Sequence, residues 1–140
     1  MITDAFDLQR FVTAQEPVMA RVLAELRAGA KRSHWMWFVF PQIAGLGSSA
    51  MAQRYALRSL EEAKAYLAHP VLGERLRECV AIVVGLEARS AREIFGWPDD
   101  LKLRSSMTLF SRAAVDPAPF VAVLEKYFEG KPDDATLARL

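Results

Sequence analysis

The sequence lacks paired cysteines and long hydrophobic runs. Cys79 is the only cysteine, so no internal disulfide can form, which is typical of a protein from a reducing compartment. The longest run of large apolar residues, from Trp35 to Phe40, is far shorter than the roughly 20 residues that span a bilayer. The first residues, MITDAFDLQR, lack the charged and apolar regions of a signal peptide. We therefore expect a cytoplasmic protein that does not enter a membrane.

An excess of charge of either sign is also absent. Eighteen Lys and Arg residues oppose seventeen Asp and Glu residues, which leaves a net charge of +1. No global field attracts nucleic acid or an anionic membrane surface, so we expect neither as a partner, and any anion site must be local. The two histidines, His34 and His69, form no H-x-x-x-H pattern, and no C-x-x-C pair occurs. We therefore expect no metal site and no cofactor.

Helix signals are frequent along the whole chain, whereas strand patterns are weak. Asp7 is in position to cap a first helix, and Ser59 with Glu62 and Ser90 with Glu93 have the spacing of capping boxes. Apolar residues recur at spacings of three and four between these signals, and glycines follow several of the apolar stripes. With 52% hydrophobic residues, the chain has enough apolar matter for one core. We predict a single compact all-α domain over residues 1–140, with about six to eight orthogonally packed helices and no significant sheet.

The segment KRSHWMWFVFPQIAGLG, residues 31–47, combines basic and amide groups with aromatic residues. A lone strand would leave its backbone groups unpaired, so the pattern favours a short helix capped by Ser33 that ends at or before Phe40, ahead of Pro41. Small-molecule sites are mostly apolar with a few convergent polar groups. Trp35 and Trp37 are suited to stacking on a planar ring, while Lys31 is suited to binding a phosphate or carboxylate. The alternative is that the aromatic run is the centre of the core and its polar flank a solvated rim.

The segment PDDLKLRSSMTLF, residues 98–110, carries small hydroxyl residues inside a predicted helix. Helical spacing places Asp99, Lys102 and Ser106 on one face, with Ser105 on an adjacent face. One interpretation is a surface ion pair together with small residues that allow close helix packing. The other is that Lys102, Ser105 and Ser106 face a ligand.

Three segments together identify a family resemblance. The runs KRSHWMWFVFPQIAGLGSS, YALRSLEEAKAYLAHPVLGERL and DDLKLRSSMTLF, in this order, resemble the bacterial family known as domain of unknown function 1810. The resemblance implies a small, single-domain, all-α cytosolic protein with no settled activity. Members of this family are sometimes mislabelled calpastatin, but that inhibitor is a disordered polar chain, which the apolar composition of this sequence excludes.

Two functional hypotheses follow from these segments. In the first, residues 31–47 and the helix of residues 100–108 form a binding or hydrolytic site for an anionic, nucleotide-like or sugar-phosphate molecule. His34 or Asp100 would be the catalytic acid or base, and the ligand would be bound by Lys31, Trp35, Trp37, Gln42, Lys102, Ser105 and Ser106. In the second, the aromatic run from Trp35 to Phe40 binds a partner protein or a second copy, without catalysis. We expect a monomer or weak homodimer.

The two hypotheses predict different arrangements of the polar side chains. If the site exists, Lys31, His34, Gln42, Lys102 and Ser105 should converge in one cleft. If the aromatic run is an interaction surface, its side chains should be partly exposed instead.

Overall fold

The computed structural model of the chain describes residues 4–140, and ten helices lie within this range. They are α1 (Gln9–Gln15), α2 (Met19–Arg27), α3 (Met36–Val39), α4 (Ala50–Arg54), α5 (Leu60–Ala68), α6 (Leu72–Gly85), α7 (Ala91–Phe95), α8 (Asp99–Ala113), α9 (Ala118–Phe128) and α10 (Asp134–Leu137). The all-α class is confirmed. The helix number exceeds six to eight because α3, α4, α7 and α10 have only four or five residues each. None of the ten is long and apolar enough to cross a membrane.

Helix α8 is the central element of the core. It packs against α5, α7, α9 and α10, while α6 contacts α2, α5 and α9. Leu103, Met107 and Phe110 of α8 are fully buried, and the Phe110 ring lies 5.4 Å from that of Tyr66 on α5 and 5.8 Å from that of Phe120 on α9. These apolar and aromatic contacts fix α8 firmly, so polar side chains on its remaining faces have defined positions.

Local capping signals predict the helix starts correctly where the partner groups are close in sequence. Ser90 and Glu93 form the complete capping box of α7, in which each side chain accepts from the other residue's backbone N–H. Ser59 accepts from the Glu62 N–H at 3.1 Å, but the Glu62 carboxylate accepts from the Arg58 N–H instead of returning the bond. Helix α3 ends at Val39, before Phe40 and Pro41, as the sequence predicted.

Two predicted caps are wrong. Asp7 has φ of 52° and does not cap α1, because the Asp4 carboxylate accepts from the Leu8 and Gln9 N–H groups. Ser33 does not cap α3, which begins after Trp35 without a side-chain cap. The Ser33 hydroxyl donates instead to Glu25 at 2.6 Å. In both cases a carboxylate from outside the presumed cap determines the local structure.

The corner between α5 and α6 depends on one glycine. His69 Nδ1 accepts from the Val71 and Leu72 N–H groups at 3.1 and 3.2 Å and so satisfies the start of α6. Gly73, one residue further, is buried directly against the Leu67 carbonyl, which a Cβ at this position would overlap. Backbone atoms cannot move aside as a flexible side chain can, so only glycine allows the two helices to approach this closely.

We expect Gly73→Ala to destabilise the fold by ~1–3 kcal/mol, because the added methyl group forces α5 and α6 apart. Urea unfolding followed by circular dichroism would measure the change. Gly85→Ala is the matched control on the same helix, since a Cβ at Gly85 meets no atom within 4 Å. It should leave stability unchanged or raise it by ~0.5–1 kcal/mol. Equal effects of the two substitutions would contradict the close-approach explanation.

Candidate functional site

The Glu25 carboxylate organises the turn between α2 and α3. It accepts hydrogen bonds from the Arg32 N–H at 2.8 Å, the Ser33 N–H at 3.0 Å, the Ser33 hydroxyl at 2.6 Å and the Trp35 indole N–H at 3.0 Å. Partial burial opposes ionisation, but these four bonds outweigh it and lower the pKa of Glu25 from 4.5 to about 2. The charged form of Glu25 therefore holds the turn from Arg32 to Trp35 in place. We call Glu25 together with Arg32, Ser33 and Trp35 the Glu25 cluster.

A row of charges connects this turn to α8. The Lys31 ammonium, whose side chain is 7% exposed, lies 2.8 Å from Asp99 Oδ2 and donates to the Ser33 carbonyl at 2.6 Å. Lys102 lies 3.4 Å from the other oxygen of Asp99. Each ammonium also lies over an indole ring. The Lys31 ammonium is 5.0 Å from the centre of the Trp35 ring, and the Lys102 ammonium is 5.3 Å from the centre of the Trp37 ring. One carboxylate therefore holds two lysines, and the row keeps a net positive charge.

Lys102 borders a cavity of about 430 Å³ between α8 and the segment of residues 42–52, which we call the Lys102 cavity. Its lining residues are Gln42, Leu46, Gly47, Ser48, Ser49, Ala52, Pro98, Leu101, Lys102, Ser105, Asp133 and Ala135. The volume lies in the range of small-molecule sites. It combines a cation, an amide, hydroxyls and a carboxylate with apolar walls.

A second, smaller cavity adjoins it. This Trp37 cavity, of about 150 Å³, shares Gln42, Gly47 and Ala52 with the Lys102 cavity and continues to Trp37, Tyr55 and Arg58. Because the two cavities have these three lining residues in common, they lie on either side of one short stretch of chain.

Backbone bonds place the wall between the two cavities. The Ala44 N–H donates to the Leu57 carbonyl at 2.8 Å, and the Leu57 N–H donates to the Gln42 carbonyl at 2.9 Å, which forms an isolated parallel bridge. Ser49 caps α4 by accepting from the Ala52 N–H. A Cβ on Gly47 would lie 2.7 Å from that of Ala52, so glycine allows the turn to fold back on α4. Helix α4 has no buried residue, and it contributes Ala52 to the lining of both cavities.

Asp133 supplies a carboxylate to the lining of the Lys102 cavity. Its Oδ2 accepts from the Ser105 hydroxyl at 3.2 Å, from the Thr136 N–H at 3.0 Å and from the Thr136 hydroxyl at 2.6 Å. Within residues 4–140 no group donates to Oδ1, so this oxygen remains an acceptor for a ligand hydroxyl. The lining of the cavity therefore combines a cation with a carboxylate acceptor.

The structure brings only some of the predicted site residues to the cavities. Gln42, Lys102 and Ser105 line the Lys102 cavity, and Gln42 and Trp37 line the Trp37 cavity. Lys31 lines neither cavity and is linked to Lys102 through Asp99, which pairs with both lysines. Trp35 and Ser106 are fully buried away from both cavities.

The two proposed catalytic residues lie outside the cavities. His34 is exposed and lines neither of them, and Asp100 is half-buried with its Oδ1 accepting from the Leu101 N–H at 2.9 Å. Their catalytic role stays a prediction that no contact in the site supports.

Glu25, Asp99 and Asp133 were missed as site residues. One of the two interpretations of this helix paired Asp99 with Lys102, but the contact of Asp99 with Lys31 joins residues distant in sequence. The Glu25 cluster gave no sequence signal, because its four bonds are set by how α2 meets the following turn. Asp133 precedes a helix start, as a cap does, and its contact with Ser105 spans 28 residues.

Neither a metal-binding cluster nor a reactive thiol is found among the described residues. No group of three or more His, Cys, Asp and Glu side chains in residues 4–140 is placed to hold a metal ion. Cys79 is fully buried in α6, and burial raises the pKa of its thiol to about 12. The neutral thiol acts as a small apolar side chain, since the thiolate is the nucleophilic form.

The fold and the site define a class: a small all-α domain with a cleft bordered by Lys102, whose ammonium lies over the Trp37 ring. The chain belongs to the family described as protein of unknown function DUF1810, which matches residues 5–140. The family resemblance expected from the three sequence segments is therefore confirmed. The chain is similar to the conserved hypothetical protein Rv1873 from Mycobacterium tuberculosis, whose crystal structure is 60% identical, covers 98% of each chain and has a TM-score of 0.97. No curated protein matches the sequence.

We expect the Glu25 cluster to make stability depend on acid pH. The pKa of Glu25 is lower in the folded than in the unfolded chain, so its stabilisation is fully present above about pH 4.5 and is lost as the pH falls towards about 2. Glu25→Gln should lower the free energy of unfolding by ~1–3 kcal/mol at pH 7. The difference between the two proteins should shrink between pH 5 and pH 2, as measured by urea unfolding at each pH.

Glu78→Gln is the control, because among residues 4–140 the Glu78 carboxylate forms only an exposed ion pair with Arg27 at 3.5 Å. It should change stability little at any pH. A Glu25→Gln effect that stayed constant down to pH 2 would show that the charge of Glu25 does not hold the turn.

Ser105 and Ser106 are adjacent but should respond oppositely to alanine. The Ser106 hydroxyl is fully buried and has no hydrogen-bond partner within residues 4–140, so Ser106→Ala should stabilise by up to ~1 kcal/mol. Ser105 donates to the Leu101 carbonyl or Asp133, so Ser105→Ala should destabilise by ~1 kcal/mol. Thermal unfolding of both variants measures the contrast. Loss of stability in Ser106→Ala would show that its hydroxyl has a partner in solution.

Proposed function

We propose that the Lys102 cavity binds an anionic small molecule that also carries hydroxyl groups, such as a nucleotide or a sugar phosphate. The observation that carries this proposal is the position of the Lys102 ammonium, between Asp99 and the Trp37 ring at the border of a 430 Å³ cavity that also contains Gln42 and Ser105. A cation fixed at two points loses little side-chain entropy on binding an anion.

The charges favour a ligand of mixed polarity. Lys31 and Lys102 share the Asp99 carboxylate, so the three side chains together keep one positive charge, and Lys102 presents it at the border of the cavity to a phosphate or carboxylate. Asp133, another lining residue, would repel a second anionic group, but its Oδ1, to which no group of residues 4–140 donates, suits a hydroxyl donor. A sugar or ribose that carries one phosphate has both the anionic group and the hydroxyl donors. A simple dicarboxylate does not.

Binding is better supported than hydrolysis. Asp133 is the one carboxylate that lines the Lys102 cavity within the described residues, and three donors already engage one of its oxygens. If the protein hydrolyses its ligand, Asp133 is better placed than His34 or Asp100 to act as the base, since a base must lie within reach of the proton that it accepts.

The alternative function, a partner surface formed by the aromatic run, has less support. Trp35, Met36, Phe38, Val39 and Phe40 are at most 7% exposed, and Trp37 alone is half-buried. Side chains that are already in the core are not accessible to a partner. Within the run, Trp37 lines the Trp37 cavity and the other residues belong to the hydrophobic core.

The proposal predicts that a thermal-shift panel of nucleotides, ADP-ribose and sugar phosphates contains compounds that stabilise the protein. A ligand at 100 times its dissociation constant adds about 2.7 kcal/mol. Lys102→Met should fold normally, because its ion pair with Asp99 is partly exposed. It should abolish the shift, because the anion loses its cation. The midpoint of each protein with and without each compound is the measurement.

Lys64→Met is the matched control. Lys64 forms a similar ion pair with Glu61 at three residues' spacing on α5, and it borders neither the Lys102 cavity nor the Trp37 cavity. Its shift should equal that of the unmodified protein. If no compound stabilises the protein, or if Lys102→Met retains the full shift, the proposed function is wrong.

A further inference from the structure

The lining of the Lys102 cavity contains one cation and one carboxylate that do not neutralise each other. Among the described residues these are Lys102 and Asp133. No ion pair joins the two, because the Lys102 ammonium pairs with Asp99, and the donors to the Asp133 carboxylate are the Ser105 hydroxyl and two groups of Thr136. One bound molecule can therefore use both charges.

Their contacts with α8 indicate how far apart the two charged groups lie. The Lys102 ammonium is 3.4 Å from Asp99, and the Asp133 carboxylate accepts from Ser105 at 3.2 Å. Asp99 and Ser105 are six positions apart on α8, and at about 1.5 Å per residue this corresponds to about 9 Å along the helix axis. A ligand that contacts both groups therefore has about the length of a phosphorylated pentose or hexose.

The position of Asp133 is fixed by α8. Arg104 donates to the Lys131 carbonyl at 2.9 Å and to the Pro132 carbonyl at 3.0 Å, and the Asp133 N–H donates to the Thr108 hydroxyl at 2.8 Å. The Thr108 hydroxyl is fully buried and donates in turn to the Arg104 carbonyl. The backbone that carries Asp133 is therefore held at three points before any ligand binds.

The hydrogen bonds of Asp133 leave one of its two oxygens for a ligand. All three donors bind Oδ2, and no group of residues 4–140 donates to Oδ1. An ionised carboxylate only accepts hydrogen bonds, so the ligand group at Oδ1 must be a donor. A sugar hydroxyl is such a donor, and its bond to a carboxylate is charge-assisted and strong. A phosphate is repelled at the same point.

The remainder of the lining suits hydroxyl groups better than a nucleobase. No aromatic side chain of residues 4–140 lines the Lys102 cavity, since Trp37 and Tyr55 line the neighbouring Trp37 cavity. Proteins commonly bind bases by stacking them on aromatic rings, and this cavity offers none. Its other polar groups are an amide and three hydroxyls, which belong to Gln42, Ser48, Ser49 and Ser105.

We infer that the ligand of the Lys102 cavity is a small sugar phosphate without a base, and that Asp133 is the specificity-determining residue, which accepts a hydrogen bond from a sugar hydroxyl. This inference rests on the proposed function and adds both the substrate class and the residue that selects it. Lys102 binds the phosphate, as the proposed function states.

The test compares sugar phosphates with alkyl phosphates by calorimetric titration at fixed salt. Pentyl and hexyl phosphate carry the same anion as ribose 5-phosphate and glucose 6-phosphate but have no hydroxyls. At least one sugar phosphate should bind about tenfold or more tightly than the alkyl phosphate of equal chain length, because the bond to Asp133 is added. Adenosine 5′-monophosphate should bind no more tightly than ribose 5-phosphate, since the cavity has no ring on which a base stacks.

Asp133→Asn should change the two kinds of ligand in different directions. The variant should fold normally, because Asn caps a helix as well as Asp does. The three donors hold the amide oxygen in the Oδ2 position, so an NH2 group replaces the acceptor Oδ1. Sugar phosphates should bind about tenfold more weakly. Alkyl phosphates should bind equally or more tightly, because a negative charge that repels them is removed. A purely structural role of Asp133 would weaken both.

Asp134→Asn is the matched control, because Asp134 is the next residue, is exposed and does not line the cavity. It removes the same charge and should leave the preference for sugar phosphates unchanged.

Three results would overturn the inference: alkyl phosphates that bind as tightly as sugar phosphates, an Asp133→Asn variant that keeps the preference or weakens both ligands, or adenosine 5′-monophosphate that binds tenfold more tightly than ribose 5-phosphate. In each case a loss of binding in Lys102→Met still supports the proposed function. If neither sugar phosphate binds, the inference fails, and the thermal-shift panel decides the proposed function separately. If Lys102→Met binds the sugar phosphates normally, both fail.

Discussion

The site depends on the ionised carboxylate of Glu25. Its four hydrogen bonds fix the turn from Arg32 to Trp35, and the Ser33 carbonyl of that turn accepts from the Lys31 ammonium. Lys31 in turn binds Asp99, which binds Lys102. A single carboxylate on α2 therefore positions, through four consecutive contacts, a cation on α8 at the border of the cleft.

A second carboxylate fixes the chain segment at the end of α4. Glu62, with Arg10, fixes the backbone of residues 54–58. Helix α4 has no buried residue of its own, so its position follows from the adjoining residues 54–58 and from the bridge between Ile43 and Leu57. In both clusters the carboxylate bonds to backbone N–H groups as well as to side chains. The expected result is precise loop geometry rather than a large gain in stability.

Periodicity and local capping signals were sufficient for the fold class and for many helix boundaries. The apolar stripe of α8 and the capping box of Ser90 and Glu93 depend on residues a few positions apart, whose contacts any helix brings together. The caps assigned to Asp7 and Ser33 were wrong. The Asp4 carboxylate accepts the N–H groups at the start of α1, and the Ser33 hydroxyl donates to Glu25, so in both places the hydrogen bonds involve a carboxylate that the capping pattern does not include. The composition of residues 31–47 also indicated a polar cluster, but it did not distinguish the residues that line a cavity from those that hold the lining residues in place.

The amino-acid sequence by itself determined an all-α chain, its family, and the two segments that border the cleft, because helix periodicity and segment order are properties of neighbouring residues. Only the tertiary structure decided which side chains meet. It placed Gln42, Lys102 and Ser105 at one cavity, buried Trp35 and Ser106, left His34 exposed, and added Asp99 and Asp133. The physical reason is that ion pairs and hydrogen bonds between distant segments depend on how the helices pack, and short-range sequence patterns carry no record of that packing.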